Sequence, residues 1–517
     1  MMSKGNNRAR HTANLKRVKD LIDVAEELNI IKSKPYALYS SFFSHIHMGL
    51  SERELLSLFS IHTMIQMYVN SLVALSLNKA GDPVRTCSGD VIKGYGVSIP
   101  QLLWWKDHVA GNSGKKILRV CLEVISHASS LDREDLLEGD PISMLYEELV
   151  SRVLRYSSGE YYTPRWVVEL VFERLEAIDA RLAHESILDP SCGSGRFLVQ
   201  ALREKIALRI EPSKAYYEVL GLDINPLAVA MARARLLITY KLLTDRDPPG
   251  TPAILWGDFI SFSLTDRYPE IPRDLYRSFL DIVVKSAMKI VGNKGIKNNP
   301  VKNISSIHNA IINLLNNLQH KDPEGGSITC NTEDLVAAKI CDETHKSLSK
   351  ELQNELIHTI KKHGESLGIL ILSSAILGGV LKALNIPKPG IAVTNPPWLE
   401  INELPRNAWG KSVRKYVKSE YIGKYGLPRQ AVQKGDLSAV FLDLMLGFVR
   451  GRGYVGIVLP AGQSYSGSIT PHGAGKLLTY MVLEKWGCEG EILYLGDVFR
   501  HGIHASIAIV RRGGAYE

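Results

Sequence analysis

Cysteine is scarce in this chain and shows no paired spacing. Six cysteines among 517 residues (Cys87, Cys121, Cys192, Cys330, Cys341 and Cys488) are scattered, with no Cys-x-x-Cys. That pattern points to a reducing compartment and away from a zinc site or a disulfide framework. Histidine supplies no ligand set either: His45/His47 and His501/His504 are close pairs that lack a third ligand, so no metal is expected. Long apolar runs are missing too. The most apolar stretch, residues 367–381, is too short to span a bilayer and contains Gly368, Gly378 and Gly379, so a core helix is expected. The basic amino terminus (Lys4, Arg8, Arg10, Lys16, Arg17, Lys19) has no apolar segment behind it, so it reads as a solvated or nucleic-acid-touching arm rather than a secretory signal. Charge of one sign is in modest excess, net +8, compatible with a polyanionic partner without requiring one. These absences together describe a cytoplasmic protein with no membrane partner.

What the chain does contain is concentrated in four residues, Asn395-Pro396-Pro397-Trp398. They follow the apolar run Gly390-Ile391-Ala392-Val393-Thr394, which reads as a buried strand. The tetrapeptide therefore sits at a strand's carboxyl end, where open α/β sheets place their chemistry. The Pro-Pro pair fixes the backbone, so that the Asn395 amide and the Pro396 carbonyl can address one spot. Two neighbouring oxygen acceptors suit an exocyclic amino group, which has two N–H donors. Trp398 adds a flat face on which a base extruded from a nucleic acid can stack. The structural alternative is a tight turn closed by a core tryptophan.

Upstream, Ile187-Leu188-Asp189-Pro190-Ser191-Cys192-Gly193-Ser194-Gly195-Arg196-Phe197-Leu198 runs from a short strand through a glycine turn into a helix. Gly193 and Gly195 allow the turn to pass close to a ligand. The loop lacks the full dinucleotide spacing. A second strand, Val219-Leu220-Gly221-Leu222, ends in Asp223, placed to accept from ribose hydroxyls. A third, Ala253-Ile254-Leu255-Trp256-Gly257, ends in Asp258-Phe259. Each acid alone could be a helix cap. Three successive strands ending in carboxylates, the first followed by Gly-x-Gly, make coincidence improbable.

The ordered set resembles the S-adenosylmethionine-dependent, adenine-specific DNA methyltransferases. It is similar above all to modification subunits of type I restriction systems and to the methylase half of fused restriction–modification enzymes. The match begins at Leu137-Glu138-Gly139-Asp140-Pro141 and Leu145-Tyr146-Glu147-Glu148-Leu149, and continues through Gly159-Glu160-Tyr161-Tyr162-Thr163-Pro164. It then takes in the three acids and Asn395 to Trp398, and closes with Lys434-Gly435-Asp436-Leu437-Ser438 and the strand Gly453 to Pro460. The resemblance implies an α/β fold: a Rossmann-like methyltransferase sheet with a helical amino-terminal domain and a helical insertion. It also implies that Asp223 binds the cofactor ribose, Ile224 packs on its adenine, Asp258 bonds the adenine amine and Phe259 lies beside it. Tyr162, Thr163, Asp189, Gly193 and Gly195 would surround the methionine end. Asn395, Pro396, Pro397 and Trp398 would form the acceptor pocket, in which hydrogen bonds to both amino protons localise the nitrogen lone pair for attack on the methyl group. Positioning and electrostatics, without a strong base, would carry catalysis.

Along the chain, residues 1–150 read as a helical domain, with Ser51-Glu52-Arg53-Glu54 capping an amphipathic helix and 118–125 forming another. Residues 151–262 form the cofactor half and 386–517 the catalytic half, with strands alternating with helices as in a parallel sheet. Between them, residues 263–385 read as a mainly helical insertion with helices over 275–290, 307–318 and 352–363. Residues 406–434 interleave Arg406, Lys411, Arg414, Lys415, Lys418, Lys424, Arg429 and Lys434 with Trp409, Tyr416, Tyr421 and Tyr425, a candidate nucleic-acid face. Two closing antiparallel strands are expected over 491–495 and 505–510. Competing acceptors are cytosine's amine, RNA or a glutamine side chain; a non-catalytic DNA-binding or assembly subunit is the other class. DNA is the expected partner. Because no dedicated base-reading element is evident, sequence choice is expected from a specificity subunit or from a carboxyl-terminal target-recognition region.

Overall fold

The computed structural model describes residues 4–47, 49–151, 154–155, 162–178, 182, 184–292, 300–319, 330, 332, 334–464, 476–499 and 504–513. Gly159, Glu160, Tyr161 and His501 of the motifs above lie outside the described residues. The chain forms two compact units that do not follow a single cut in the sequence. The first comprises residues 1–158, 193–195 and 225–252; the second comprises 159–192, 196–224 and 253–517.

The second unit is built on a seven-stranded sheet. Its strands are β1 (Ile187–Asp189), β2 (Val219–Asp223), β3 (Ile254–Trp256), β4 (Ile391–Thr394), β5 (Tyr454–Pro460), β6 (Glu489–Asp497) and β7 (His504–Arg511), in spatial order 3-2-1-4-5-7-6. The first five run parallel, and β7 is antiparallel to both β5 and β6, as the sequence pattern predicts. Strands β1 to β4 are short and fully apolar on both faces apart from their last residues, because parallel strands are covered on both sides. The chain leaves β1 toward β2 and β3 on one side and returns as β4 on the other. Open α/β sheets place their ligand sites at the carboxyl ends of the strands beside such a reversal, here between β1 and β4.

Among the described residues, the insertion contains the helices Arg273–Val291, Pro300–Gln319, Leu335–Ser347, Lys350–His363 and Glu365–Ala383. All belong to the same compact unit as the sheet. The apolar run is not too short after all: Glu365–Ala383 and, in the first unit, Glu52–Ser76 are each long and apolar enough to cross a membrane. Both are mostly buried within the fold, 78% and 89% over their most apolar windows. A second correction concerns the thiols. Cys330 and Cys341 are joined as a disulfide with Cα atoms 5.9 Å apart, whereas their spacing in sequence carried no sign of it.

The first unit is helical in its described part. Ser51 and Glu54 form the reciprocal cap expected at the start of Glu52–Ser76, and residues 118–125 lie in the helix Gly114–Ser129. The basic amino terminus opens the helix Lys4–Glu27, in which Lys16 and Lys19 are exposed, Asn14, Val18 and Leu21 are buried, and Arg17 pairs with Glu123 at 3.2 Å.

Candidate functional site

Within the second unit, the sheet aligns the acids that the sequence singled out. Asp189 ends β1 and stands opposite Gly221 of β2; Asp223 ends β2 opposite Trp256 of β3; Asp258 lies two residues beyond the end of β3. Asn395 follows β4, the neighbour of β1 on the other side. Three carboxylates and the Asn-Pro-Pro-Trp loop therefore share one edge of four adjacent strands.

Asp189 is 1% exposed. Its Oδ1 accepts from the Thr394 hydroxyl at 2.6 Å and from the Ser191 amide at 3.2 Å. Burial pushes this carboxyl up to about 8, aided by the like charge of Asp223 and opposed by those two hydrogen bonds. A nearby positive charge would favour the ionised form of such a group. Asp223 is buried, and Ile224 beside it is half-exposed, presenting an apolar side chain next to an acid. The Trp256 indole donates to the Ile224 carbonyl at 2.7 Å and so fixes the exit from β2.

Asp258 is occupied by local work. Its carboxylate caps the helix Phe259–Leu264, accepting from the Ile260 and Ser261 amides at 3.4 and 3.0 Å and from the Ser261 hydroxyl. Burial raises its pKa against these bonds. Its own amide donates to Ser374 on the last helix of the insertion at 2.9 Å, so the insertion reaches the site's framework. Phe259 is 1% exposed, its ring packed among Phe262, Phe441 and Phe448 at centroid distances of 6.2, 5.7 and 6.1 Å.

At the other flank, Arg196 opens the helix Arg196–Ala207, donates to the Thr163 carbonyl at 2.6 Å and lies over the Tyr162 ring at 5.5 Å. Thr163 is thereby tied to the helix that follows the glycine turn. Gly193 and Gly195 fall in the first unit, with φ of +51° and +85°. A Cβ on Gly193 would meet nothing within 4 Å, whereas one on Gly195 would stand 2.9 Å from the Ala232 Cβ. One glycine is needed for conformation alone and the other also for close helix packing. Ser194 between them receives the Ser143 hydroxyl at 2.7 Å, and its carbonyl accepts from Arg235 at 3.0 Å. Arg235 in turn pairs with Asp140 at 3.0 Å, which gives the Gly139-Asp140-Pro141 motif a physical role in bracing the loop.

The acceptor loop is braced by the later motif. Ile401 donates to the Gly435 carbonyl at 2.9 Å, and Leu437 to the Leu399 carbonyl at 2.9 Å. Asp436 caps the helix Leu437–Phe448 through the Ser438 amide at 2.8 Å, and burial pushes it up to about 7. The buried ring of Trp398 meets Phe499 edge-on at 4.9 Å. Phe499, Ser191, Thr394 and Arg196 were missed as site residues. Nothing local marks Phe499, since it enters from the turn after β6.

The basic and aromatic segment is corrected by the fold. Tyr416 and Tyr421 are core residues, the latter donating to the buried Asp443 at 2.7 Å. Arg414 is spent on the Leu404 and Pro405 carbonyls, and Lys415, Lys424 and Lys434 lie near Glu270, Glu420 and Glu400. Arg406, Lys411, Lys418 and Arg429 remain exposed. Tyr416 and Tyr421 face inward, whereas Tyr425 is exposed with Lys424 over its ring at 5.1 Å, so cations and aromatics meet at the surface of this segment only in part.

Comparison with known proteins agrees with these motifs. Residues 138–241 match the family model of N-6 DNA methylases. The chain is 36% identical over 107 residues to the adenine-specific methyltransferase PglX of Streptomyces coelicolor, covering 18% of this chain and 9% of that protein. It is 29% identical over 115 residues to the type II methyltransferase M.VspI of a Vibrio species, covering 22% and 25%. Among solved structures, the DrdV–DNA complex superposes with a TM-score of 0.54 at 13% identity, over 97% of this chain and 40% of that one. The type ISP restriction–modification enzyme LlaGI, a nuclease-deletion mutant with a DNA substrate mimic, gives 0.51 at 13% identity, over 98% and 35%. The structural likeness establishes the fold. The chain spans well under half the length of these relatives. Residues 138–241 are similar to N-6 DNA methylases, and the chain is similar in sequence to an adenine-specific methyltransferase.

Proposed function

We propose that this chain transfers a methyl group from S-adenosylmethionine to the 6-amino group of adenine in DNA, as the modification activity of a restriction–modification or host-defence system. The observation that carries the reading is the shared sheet edge: Asp258, Asp223 and Asp189 on three adjacent strands, with the Asn395–Trp398 loop on the fourth.

The residues fit a sulfonium cofactor. Asp189 is a buried carboxyl whose Oδ1 alone is hydrogen-bonded among the described residues, leaving the second oxygen for an ammonium group. Ile224 offers a half-buried apolar surface. In this assignment Asp223 takes the ribose, Ile224 the adenine face, and Asp189, Tyr162 and Thr163 the methionine end. Asp258 retains its cap and adds a remaining lone pair toward the adenine amine, with Phe259 behind it. When bound, the cofactor supplies an electrophilic methyl group. The chain's own task is to hold the acceptor. Asn395 and the Pro396 carbonyl receive the two amino protons, Pro397 fixes the backbone, and Trp398 with Phe499 against it forms the stacking wall.

The proposal includes the division 1–150, 151–262, 263–385 and 386–517, a cytoplasmic location, and sequence choice supplied by a specificity subunit or a target-recognition region. Incubation with labelled S-adenosylmethionine and unmethylated DNA, RNA or protein pools tests it. Label on DNA adenine, at sites with little sequence preference for this chain alone, is expected. Label confined to RNA, to cytosine or to a protein side chain would replace the proposal, and no transfer to any pool would favour an assembly role.

A further inference from the structure

Two hydroxyls join the cofactor side of this edge to the acceptor side. Thr394, the last residue of β4, is fully buried and lies 2.6 Å from Asp189 Oδ1. The Ser191 hydroxyl lies 2.7 Å from Thr394 Oγ1 and 3.5 Å from the Asn395 carbonyl. These groups come from positions more than two hundred residues apart, meeting because β4 lies beside β1. We propose that Thr394 and Ser191 are positioning residues, a hydroxyl bridge through which the charge state of Asp189 sets the hydrogen bond received by the Asn395 carbonyl. The inference rests on the reading of Asp189 as a cofactor contact.

Each hydroxyl has one proton to give, so the bridge has two directions. With Asp189 ionised, Thr394 donates to the carboxylate and Ser191 donates to Thr394, the shorter of its two contacts. The Asn395 carbonyl then loses Ser191. With Asp189 neutral, the carboxyl donates to Thr394, Thr394 to Ser191, and Ser191 is turned onto the Asn395 carbonyl. Burial and Asp223 favour the neutral state. Arg196, which opens the helix packed on β1, is engaged with Thr163 and Tyr162. A cation bound at Asp189 reverses the balance and releases the peptide that precedes Pro396. Arrival of the cofactor is thus felt in the loop that receives the acceptor amine.

The test uses the full chain with S-adenosylmethionine alone, so it needs neither DNA nor a partner. Calorimetry gives the pH midpoint of cofactor affinity, and hydrogen exchange follows the peptide over residues 395–401. Thr394→Val keeps the branched shape suited to a strand and removes the donor. It should raise the pH midpoint by about one unit or more, since a hydrogen bond to the charged form is lost. It should also reduce the cofactor-induced change in exchange of that peptide at least severalfold. Thr394→Ser should restore both. Ser191→Ala should abolish the exchange response while moving the midpoint little. If Thr394→Val and Thr394→Ser bind with the wild-type midpoint and exchange response, the coupling is overturned while the functional reading stands. If the wild-type chain shows no saturable binding, the functional reading fails and takes the coupling with it.

Discussion

With Asp189 at the cofactor's ammonium group, as proposed, cofactor binding releases a proton. In the ligand-free fold its carboxyl is pushed up to about 8, so at pH 7 about nine molecules in ten carry the proton. A cationic group placed against it favours the ionised form, and binding should expel close to one proton at pH 7. The sign follows from linkage. Affinity is full above pH 8, where Asp189 is already ionised, and falls about tenfold for each pH unit below it. Between pH 8 and pH 6 the expected loss is about fiftyfold. The same raised pKa acts on folding in the opposite sense. Its contribution is fully present below the ordinary aspartate range and is lost as pH rises through about 8.

Calorimetric titration with S-adenosylmethionine in phosphate and in Tris reads the proton directly, because the two buffers take it up with different heats. An apparent enthalpy that differs between buffers by close to one ionisation heat at pH 7, shrinking toward zero above pH 9, is the expected result. Asp189→Asn should bind more weakly at pH 8 and show no buffer dependence. Equal enthalpies in both buffers for the wild type, with measurable binding, would refute the assignment of Asp189 to the cationic end.

Asn395→Ala should abolish methyl transfer while changing the cofactor Kd by less than about threefold, less than the loss of one net hydrogen bond would produce; substantial turnover by the mutant would remove Asn395 from amine activation. Gly195→Ala should destabilise the fold by roughly 2–3 kcal/mol, because it combines a φ of +85° with a 2.9 Å approach to Ala232. Gly193→Ala should cost only about 1 kcal/mol, and equal thermal shifts for the two would show that packing at Ala232 does not matter. His47 is held down to about 4 by burial, so its share of stability is present above pH 6.5 and lost as pH falls through about 4. Denaturant titrations of wild type and His47→Phe should diverge by roughly 3 kcal/mol across that window, and parallel curves would rule the histidine out.

Sequence pointed to those parts of the candidate site whose chemistry is local. A short apolar strand ending in an acid can be read from its own residues, and so Asp189, Asp223, Asp258 and Asn395 could be named before any topology was known. Their division of labour could not. Asp258 looks the same in sequence whether its carboxylate faces a ligand or caps the next helix, and in the fold it caps. Ser191 and Thr394 are ordinary hydroxyl residues until β4 is laid against β1, because their meaning is a distance across more than two hundred residues. Phe499 is invisible for the same reason. The basic segment was legible only in part, because charge density says nothing about which way intervening aromatics turn: Tyr416 and Tyr421 point into the core, whereas Tyr425 is exposed.

The insertion carries this furthest. The sequence marked helices over 275–290, 307–318 and 352–363 and a core helix over 367–381 but passed over Leu335–Ser347, and Gly378 and Gly379 counted there only against a membrane span. A Cβ on Gly378 would come within 2.0 Å of the Phe262 carbonyl, and one on Gly379 within 2.0 Å of the Tyr276 hydroxyl. Glycine costs helix stability here and in return allows backbone contact. That contact seats Glu365–Ala383 against the helix capped by Asp258, and it brings Ser374 to the Asp258 amide. The residues that seem least suited to the helix are therefore the ones that dock it, and through Ser374 the insertion supports the turn at the end of β3.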